Sequence, residues 1–164
     1  MSNSIKLRKI TGNEFNIWKE ESIKSYAEDL LSAGQCTQEN AIERANADFN
    51  NILTEGISTP NNFIYIAENM DKEAVGIIWY ETNTDKKAFI ADFLVYSNYR
   101  GKGYGKSILQ ELELVVKEQG IEKILLHVFE KNITARELYK KMGYIEVQAE
   151  DIEEGSIYMR KNLI

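Results

Sequence analysis

The segment most informative about the fold reads Ala88-Phe-Ile-Ala-Asp-Phe-Leu-Val-Tyr-Ser-Asn-Tyr-Arg-Gly-Lys-Gly-Tyr-Gly105. Its first nine residues, as far as Tyr96, are mostly apolar, which is typical of a buried central strand. Three glycines follow at positions 101, 103 and 105, and an amphipathic helical pattern then runs from Ser107 to Glu118. The sequence therefore predicts a strand, a glycine loop and a helix in direct succession.

A glycine loop between a strand and a helix is a favourable site for an anion. Its backbone N–H groups point outward, the helix dipole adds partial positive charge, and glycines let a phosphate approach the backbone closely. Arg100, Lys102 and Lys106 add full positive charges nearby. The pattern predicts a ligand that carries a diphosphate or polyphosphate group.

Two familiar nucleotide-binding motifs do not fit this loop. A dinucleotide fingerprint is G-x-G-x-x-G, and here the third glycine comes one residue early. A Walker loop is G-x-x-x-x-G-K-[ST], and Gly105-Lys106-Ser107 matches its end, but Arg100 stands where its first glycine is required. The spacing disfavours a dinucleotide site and a magnesium-dependent ATP hydrolase. It fits R-x-x-G-x-G, formed by Arg100, Gly103 and Gly105.

The remaining segments follow the order expected of one layered α/β domain. Thr11 and Glu14 form a capping box for a first helix, and Gly56 is the expected C-cap of a second. Strands are expected over 5–10, 63–67, 74–80, 88–96, 124–129, 144–148 and 156–159, and helices from Thr11 to near Gly34, from Thr37 to about Thr54, over 107–118 and over 134–142. This order contains one parallel crossover and no linker, so residues 1–164 are predicted to form a single domain.

The composition disfavours several classes of protein. The chain has 164 residues, a formal net charge of −6, one cysteine (Cys36) and one histidine (His127). The acidic balance disfavours nucleic-acid binding, and no apolar run reaches the roughly 18 residues that span a bilayer. One cysteine and one histidine cannot form a zinc cage, and a lone cysteine fits a reducing compartment. With no signal-peptide pattern at Met1, we expect a cytoplasmic protein without a metal or a membrane partner.

A second motif follows the loop: Asn132-x-x-Ala135-x-x-x-Tyr139-x-x-x-Gly143-Tyr144. Together with Phe93-Leu-Val95 and the glycine loop, it makes the segment from about Phe89 to Tyr144 resemble the GNAT superfamily of N-acetyltransferases. The resemblance implies a three-layer α/β/α fold whose mixed, mostly antiparallel sheet has one parallel crossover and splayed central strands. It also implies acetyl-CoA as co-substrate and a primary amine as acceptor.

The resemblance further implies which residues contact acetyl-CoA. Backbone atoms of Leu94 and Val95 are expected to pair with the pantetheine amides. Asn132 and Ala135 are expected to line the pantetheine and adenosine, although a helix N-cap is a second role open to Asn132. The pyrophosphate is expected on the N–H groups of the loop, beside the charge of Lys106: Arg100, Gly101, Lys102, Gly103, Tyr104 and Gly105.

Tyr139 matches the family position whose phenol faces the thioester sulfur. The departing coenzyme A thiolate belongs to a thiol with a pKa like that of cysteine, about 8.5. A phenol with a pKa of about 10 can hydrogen-bond to this thiolate or give it a proton. The alternative is a core tyrosine on a helix face. The spacing of the motif favours the catalytic role.

An amine acceptor also requires a means of losing its proton. An alkylamine with a pKa of about 10.4 reaches its neutral form at pH 7 at a cost of about 4.6 kcal/mol, against about 1.4 kcal/mol for an N-terminal amine. His127 and Asp92 are the two candidate bases. The resemblance implies that both lie on the strands beside the cofactor gap and that Asp92 matches a position where other members keep an acidic base, and an imidazole with a pKa of about 6.5 suits this task. Each can instead have a purely structural role, as a strand residue whose polar side-chain atoms are hydrogen-bonded within the protein. Glu68 and Glu81 are expected to be solvated or to shape the substrate site.

Several alternatives stay open at this point. A non-catalytic acetyl-CoA sensor is the second hypothesis, although Asn132, Tyr139 and a candidate base favour an enzyme. Direct transfer in a ternary complex is favoured over an acetyl-cysteine intermediate, because Cys36 lies far from the motifs. The acceptor can be a protein N-terminus, a lysine, a polyamine, an aminoglycoside or another small amine. A homodimer is compatible with the family.

Overall fold

A computed structural model describes residues 3–164, which form a seven-stranded sheet between two layers of helices. The strands are β1 (Lys6–Lys9), β2 (Asn62–Glu68), β3 (Ala74–Thr82), β4 (Lys87–Val95), β5 (Lys123–Phe129), β6 (Ile145–Val147) and β7 (Ser156–Asn162). The α-helices are α1 (Gly12–Ser32), α2 (Ala41–Ile52), α3 (Tyr104–Glu118) and α4 (Ile133–Lys141). No helix within the described range is long and apolar enough to cross a bilayer.

The sheet has the strand order β1-β2-β3-β4-β5-β7-β6. Each neighbouring pair is antiparallel except β4 with β5, which is parallel and connected through α3. A parallel pair needs such a crossover, because the chain must return to the same end of the sheet before it enters the next strand. The predicted mixed sheet with one parallel crossover is therefore confirmed.

Two apolar clusters hold the three layers together. One lies between α3, α4 and one face of the sheet and includes Ile108 and Leu126. The other lies between α1, α2 and the opposite face, where Trp18 meets Trp79 edge to face at 5.5 Å between ring centroids. Because side chains alternate along a strand, each central strand contributes to both clusters.

The strands β4 and β5 separate after a short paired segment. They pair from Lys87↔Lys123 to Ile90↔Leu126, and beyond that point β4 continues along β3 while β5 continues along β7. A β-bulge coincides with the separation, because the register with β3 passes from Ile90 to Asp92 and leaves Ala91 without a partner. A bulge bends its strand and increases the local twist, which turns β4 away from β5. The predicted splay of the central strands is present.

The start of α1 follows the sequence prediction closely. The Thr11 hydroxyl accepts a hydrogen bond from the Glu14 N–H at 3.3 Å, and the Glu14 carboxylate accepts one from the Thr11 N–H at 3.0 Å. The capping box is therefore confirmed.

The predicted ends of the second helix were wrong. Thr37 does not cap it, because the Asn40 side chain accepts the Thr37 N–H at 2.8 Å in a local turn and α2 begins only at Ala41. Asn side chains compete with helix formation through local bonds of this kind. Gly56 opens a short 3₁₀ turn after α2 has already ended at Ile52.

Candidate active site

A cleft of about 1430 Å³ crosses the sheet where β4 and β5 separate. Residues of α1 and α2 line it on one face of the sheet, and residues of the glycine loop and α4 line it on the other. The separated ends of β4 and β5, together with the start of β7, lie between these two parts. The gap therefore lets a ligand bound on one face meet a ligand bound on the other.

The glycine loop has the backbone geometry of an anion site. Gly101 has a φ of 74° and Gly103 a φ of 86°, a region in which other residues are strained. Gly103 is the N-cap of α3, and the first N–H groups of a helix have no intrahelical partner. Gly105 allows close packing instead, since a Cβ at this position would lie 3.0 Å from the Leu138 side chain of α4.

The positive side chains of the loop occupy different surroundings. Arg100 folds back onto the end of β4, where its Nε donates to the Val95 carbonyl at 2.8 Å. Lys106 is exposed and lines the cleft. The ammonium of Lys102 lies 5.8 Å from the ring centroid of Tyr99, outside the cleft lining. Of the three charges predicted here, the structure brings Arg100 and Lys106 to the cleft.

The open edge of β4 presents backbone groups to the gap. The Tyr96 N–H donates to the Val75 carbonyl at 2.9 Å, and hydrogen-bonded pairs alternate along an antiparallel ladder. The N–H and C=O of Leu94 therefore belong to the ladder with Ile77, whereas those of Phe93 and Val95 face the gap. The expected backbone contact of Leu94 with pantetheine therefore stays a prediction, and the alternation makes Phe93 a further candidate for that contact.

Two groups on this edge have protein partners already. The Phe93 N–H donates to the Asp92 carboxylate, and the Val95 carbonyl accepts from Arg100. The Phe93 carbonyl and the Val95 N–H are thus the acceptor and the donor that this edge offers to a ligand.

The start of α4 faces the edge of β4 across the cleft. The Asn132 side chain accepts a hydrogen bond from the Ala135 N–H at 3.2 Å and so caps the helix. Asn132 and Ala135 both line the cleft, as does Thr134 between them. The capping role of Asn132 is confirmed, and it places the first turn of α4 beside the gap.

Tyr139 lies in the last turn of α4, with 6% of its surface exposed. Its ring packs beside Phe93 at 6.4 Å and beside Tyr144 at 5.6 Å between centroids. Tyr139 lines the cleft, and within residues 3–164 its hydroxyl makes no hydrogen bond. Burial raises the pKa of this phenol, and the nearby charge of Asp92 raises it further, so the hydroxyl keeps its proton at neutral pH.

Asp92 lies on β4 immediately after the bulge and faces α1. Its carboxylate accepts the Trp18 indole N–H at 3.0 Å and the Ser22 hydroxyl at 3.3 Å, in addition to the Phe93 N–H. Burial raises the pKa of Asp92, and these three donors partly oppose the rise. Asp92 therefore connects α1 to the bulged strand at the gap.

His127 lies on β5 just beyond the last residue paired with β4, on the face that carries α1 and α2. Its Nε2 lies 2.7 Å from the Ser156 hydroxyl, and its ring contacts Phe129 edge to face at 4.7 Å between centroids. Burial lowers the pKa of His127, and the charge of Glu153 partly opposes this, so the imidazole is neutral at pH 7. Tyr139, Asp92 and His127 all line the same cleft.

Several residues that complete the cleft carry no recognisable signal in the sequence. Trp18 and Ser22 bind Asp92 from 74 and 70 positions away, and Gln35 binds Ser156 from 121 positions away. No short spacing predicts such pairs, because they depend on how α1 and the connections pack onto the sheet. Among the described residues no three His, Cys, Asp or Glu side chains gather in a way that could hold a metal ion.

Known proteins are similar to this chain in sequence and in fold. The profile of the "Acetyltransferase (GNAT) family" matches residues 23–144. The uncharacterized N-acetyltransferase YycN of Bacillus subtilis is 35% identical over 146 residues, which cover 87% of this chain and 94% of YycN. A crystal structure of YycN superposes with a TM-score of 0.86 and 33% identity over 92% of this chain and 98% of that one. Fold and cleft therefore define an acyltransferase.

Two further relatives agree with this class. The uncharacterized N-acetyltransferase YdgE of Bacillus subtilis is 33% identical over 141 residues, which cover 84% of this chain and 90% of YdgE. The [ribosomal protein bS18]-alanine N-acetyltransferase of Haemophilus influenzae is 34% identical over 77 residues, covering 47% of this chain and 51% of that protein. This chain belongs to the GNAT family of N-acetyltransferases.

Proposed function

We propose that the chain transfers the acetyl group of acetyl-CoA directly to a primary amine while both are bound. The observation that carries this proposal is the gap between β4 and β5, which joins the glycine loop on one face of the sheet to a cleft with candidate bases on the other. Transfer between two bound molecules requires such a passage, because the reacting atoms must come within about 3–3.5 Å of each other.

The residues on the donor side fit acetyl-CoA. The N–H groups between Arg100 and Lys106 hold the pyrophosphate at the start of α3, where Gly103 has no side chain to obstruct it. The Phe93 carbonyl and the Val95 N–H pair with the amides of pantetheine. Asn132 and Ala135 line the opposite side of the same passage, which explains why the capped start of α4 lies there.

Tyr139 acts as the acid for the leaving group. Acetyl-CoA supplies an activated thioester whose coenzyme A thiolate needs a proton or a hydrogen bond as it departs. The phenol lines the cleft, has no competing partner among the described residues, and keeps its proton because burial raises its pKa. A hydroxyl in this state is a donor and is available for the thiolate.

His127 acts as the base for the acceptor, and Asp92 has a positioning role. Oδ2 of Asp92 already accepts from Trp18 and Ser22, and the Phe93 N–H donates to the same carboxylate, so most of its acceptor sites serve α1 and its own strand. Within residues 3–164 His127 has one polar partner, and burial holds it in the neutral form that accepts a proton. The negative charge of Asp92 also favours a cationic amine nearby.

The acceptor side of the cleft is acidic, which favours a protonated amine. Glu21 and Asp29 line it from α1, and neither has an ion-pair partner in the described part of the chain. Burial raises the pKa of Asp29, and the charges of Glu28 and Asp92 add to the rise. A bound cation relieves this repulsion between carboxylates, whereas an anionic acceptor increases it.

A turnover screen tests the proposal. Release of coenzyme A from acetyl-CoA is followed with peptides bearing free N-termini, with lysine, with polyamines and with aminoglycosides, and the products are examined by mass spectrometry. We expect amine-dependent release and a product that carries one added acetyl group. Tight binding of acetyl-CoA with no turnover across the panel would instead support a non-catalytic sensor.

A further inference from the structure

We propose that Ser156 passes the proton of the acceptor amine to His127, and that Gln35 holds Ser156 in the orientation this transfer requires. The inference rests on the proposed function, since it concerns how the acceptor loses its proton in the same cleft. Ser156 is the first residue of β7 and lies opposite Phe129 of β5 in the register of the two strands.

The orientation of the Gln35 amide follows from its contacts. Its Nε2 lies 3.0 Å from the Glu154 carbonyl oxygen and 2.6 Å from the Ser156 hydroxyl. A carbonyl oxygen can only accept, so the Gln35 atom beside it must be the amide nitrogen, and this excludes the flipped amide. The second N–H of Gln35 therefore donates to Ser156, which accepts it.

The hydroxyl proton of Ser156 is then directed toward His127. One lone pair of Oγ accepts from Gln35, and the acceptor within reach of the hydroxyl hydrogen is His127 Nε2 at 2.7 Å. Nε2 can accept only if the neutral imidazole carries its proton on Nδ1. The second lone pair of Oγ is available to the cleft, which Ser156 lines together with His127.

The acceptor amine, Ser156 and His127 account for every proton that moves in this transfer. The ammonium of the acceptor gives a proton to the open lone pair of Ser156 Oγ as the Ser156 hydroxyl proton moves to His127 Nε2. The amine is left neutral and nucleophilic, Ser156 is a hydroxyl again, and His127 becomes an imidazolium. In the product state His127 donates to Ser156, and Gln35 keeps its hydrogen bond throughout.

Titratable groups on neighbouring elements face His127. Glu153 approaches from the connection between β6 and β7, and its carboxylate is held by Arg44 of α2 at 2.5 Å. Tyr158 of β7 packs its ring at 5.4 Å from the imidazole centroid. Glu153 therefore stabilises the imidazolium that the transfer produces, and Arg44 moderates this effect.

Nuclear magnetic resonance tests the tautomer without any need for turnover. His127 is the sole histidine, so its ring nitrogens give one set of signals in a long-range ¹⁵N–¹H spectrum of the full chain. At a pH where the ring is neutral we expect protonated Nδ1 and unprotonated, hydrogen-bonded Nε2. Protonated Nε2 would overturn the proposal, because Ser156 could then only accept from the ring.

Kinetics of matched variants tests the transfer itself. We expect Ser156→Ala and His127→Ala each to lower kcat/KM by about 100-fold, and the double variant to lose no more than about threefold beyond either. The rise of rate with pH, centred below about 6.5 in the unaltered chain, is expected to vanish in Ser156→Ala and to return in Ser156→Thr. The control is Ser58→Ala, an exposed serine outside the cleft, which leaves the profile unchanged.

Two outcomes separate this inference from the proposed function. A rise of rate with pH that persists in Ser156→Ala, or additive losses in the double variant, would show that His127 takes the proton without Ser156. Absence of any amine-dependent turnover in the unaltered chain would count against the proposed function, while the tautomer of His127 would still decide the geometry on which the transfer depends.

Discussion

At the scale of the residue, burial acts on Tyr139 and on Asp92 in the same direction but with different consequences. It raises the pKa of both groups. For Tyr139 the result is a hydroxyl that stays protonated beside the gap. For Asp92 the result is a carboxylate whose charge is disfavoured unless Trp18 and Ser22 donate to it. The raised pKa of Tyr139 therefore bears on catalysis, and the raised pKa of Asp92 bears on the free energy of unfolding.

Replacing Tyr139 with phenylalanine tests the acid. The ring and its packing remain, so we expect kcat to fall by about 100-fold while the KM for acetyl-CoA changes little. The matched control is Tyr144→Phe, since Tyr144 packs against Tyr139 and its buried hydroxyl has no partner within the described chain. The rate of coenzyme A release measures the activity of both variants. Equal activity of Tyr139→Phe and the control would remove Tyr139 from the mechanism.

Replacing Asp92 with asparagine tests the linkage between burial and stability. A carboxyl group with a raised pKa favours the folded state when protonated, and this contribution is lost as the pH rises through the folded-state pKa. Asparagine can still accept from Trp18 but does not ionise. We therefore expect the difference in Tm, variant minus unaltered chain, to be more positive at pH 7 than at pH 3.5. Thermal unfolding across this range measures it, and a difference independent of pH would contradict the assignment.

At the scale of the element, the segment that runs from β4 through the glycine loop to α3 is the best-predicted part of the fold. Apolar content predicts β4, and the spacing of the glycines predicts the loop. The helix α3 nevertheless begins at Tyr104, inside the loop, because Gly103 adopts a positive φ and caps it. The same local rules mispredicted the ends of α2, where Thr37, Asn40 and Gly56 offer competing turns.

Replacing Gly103 with alanine tests the loop as an anion site. A residue other than glycine at this φ costs about 1–2 kcal/mol and displaces the N–H groups at the start of α3. We expect the KM for acetyl-CoA to rise about tenfold, which corresponds to about 1.4 kcal/mol and to roughly one hydrogen bond to a charged group. Initial rates measure KM.

Gly120→Ala is the matched control for this change. Gly120 has a similar φ of 80° and follows the other end of α3, and a Cβ at this position would meet no heavy atom within 4 Å. We expect a similar loss of stability in denaturant and no change in KM. An equal rise of KM in both variants would show that the loop contributes only to folding.

At the scale of the whole molecule, the site depends on contacts that no local pattern contains. The motif residues Asn132 and Tyr139 could be placed from their spacing. The splay could be inferred only by resemblance, because it depends on a bulge at Ala91 that is fixed by the register with β3. The partners of Asp92 and of Ser156 come from α1 and the connection after it, and they become neighbours only when the layers assemble.

Replacing Cys36 with serine tests direct transfer. Cys36 lies outside the cleft lining, and its sulfur is contacted by Arg44 Nη1 at 3.8 Å. An acetyl-cysteine intermediate would require this thiol at the gap. We therefore expect unchanged kcat, read as coenzyme A release, and no acetylated enzyme by mass spectrometry after incubation with acetyl-CoA alone. Loss of turnover in a folded Cys36→Ser variant would contradict direct transfer.

Direct transfer requires that the donor and the amine meet, both bound, at the gap between β4 and β5. Initial rates over a grid of acetyl-CoA and amine concentrations test it most directly. We expect lines that intersect in double-reciprocal plots, because both molecules must bind before coenzyme A leaves. Parallel lines, or release of coenzyme A that does not depend on the amine, would contradict it.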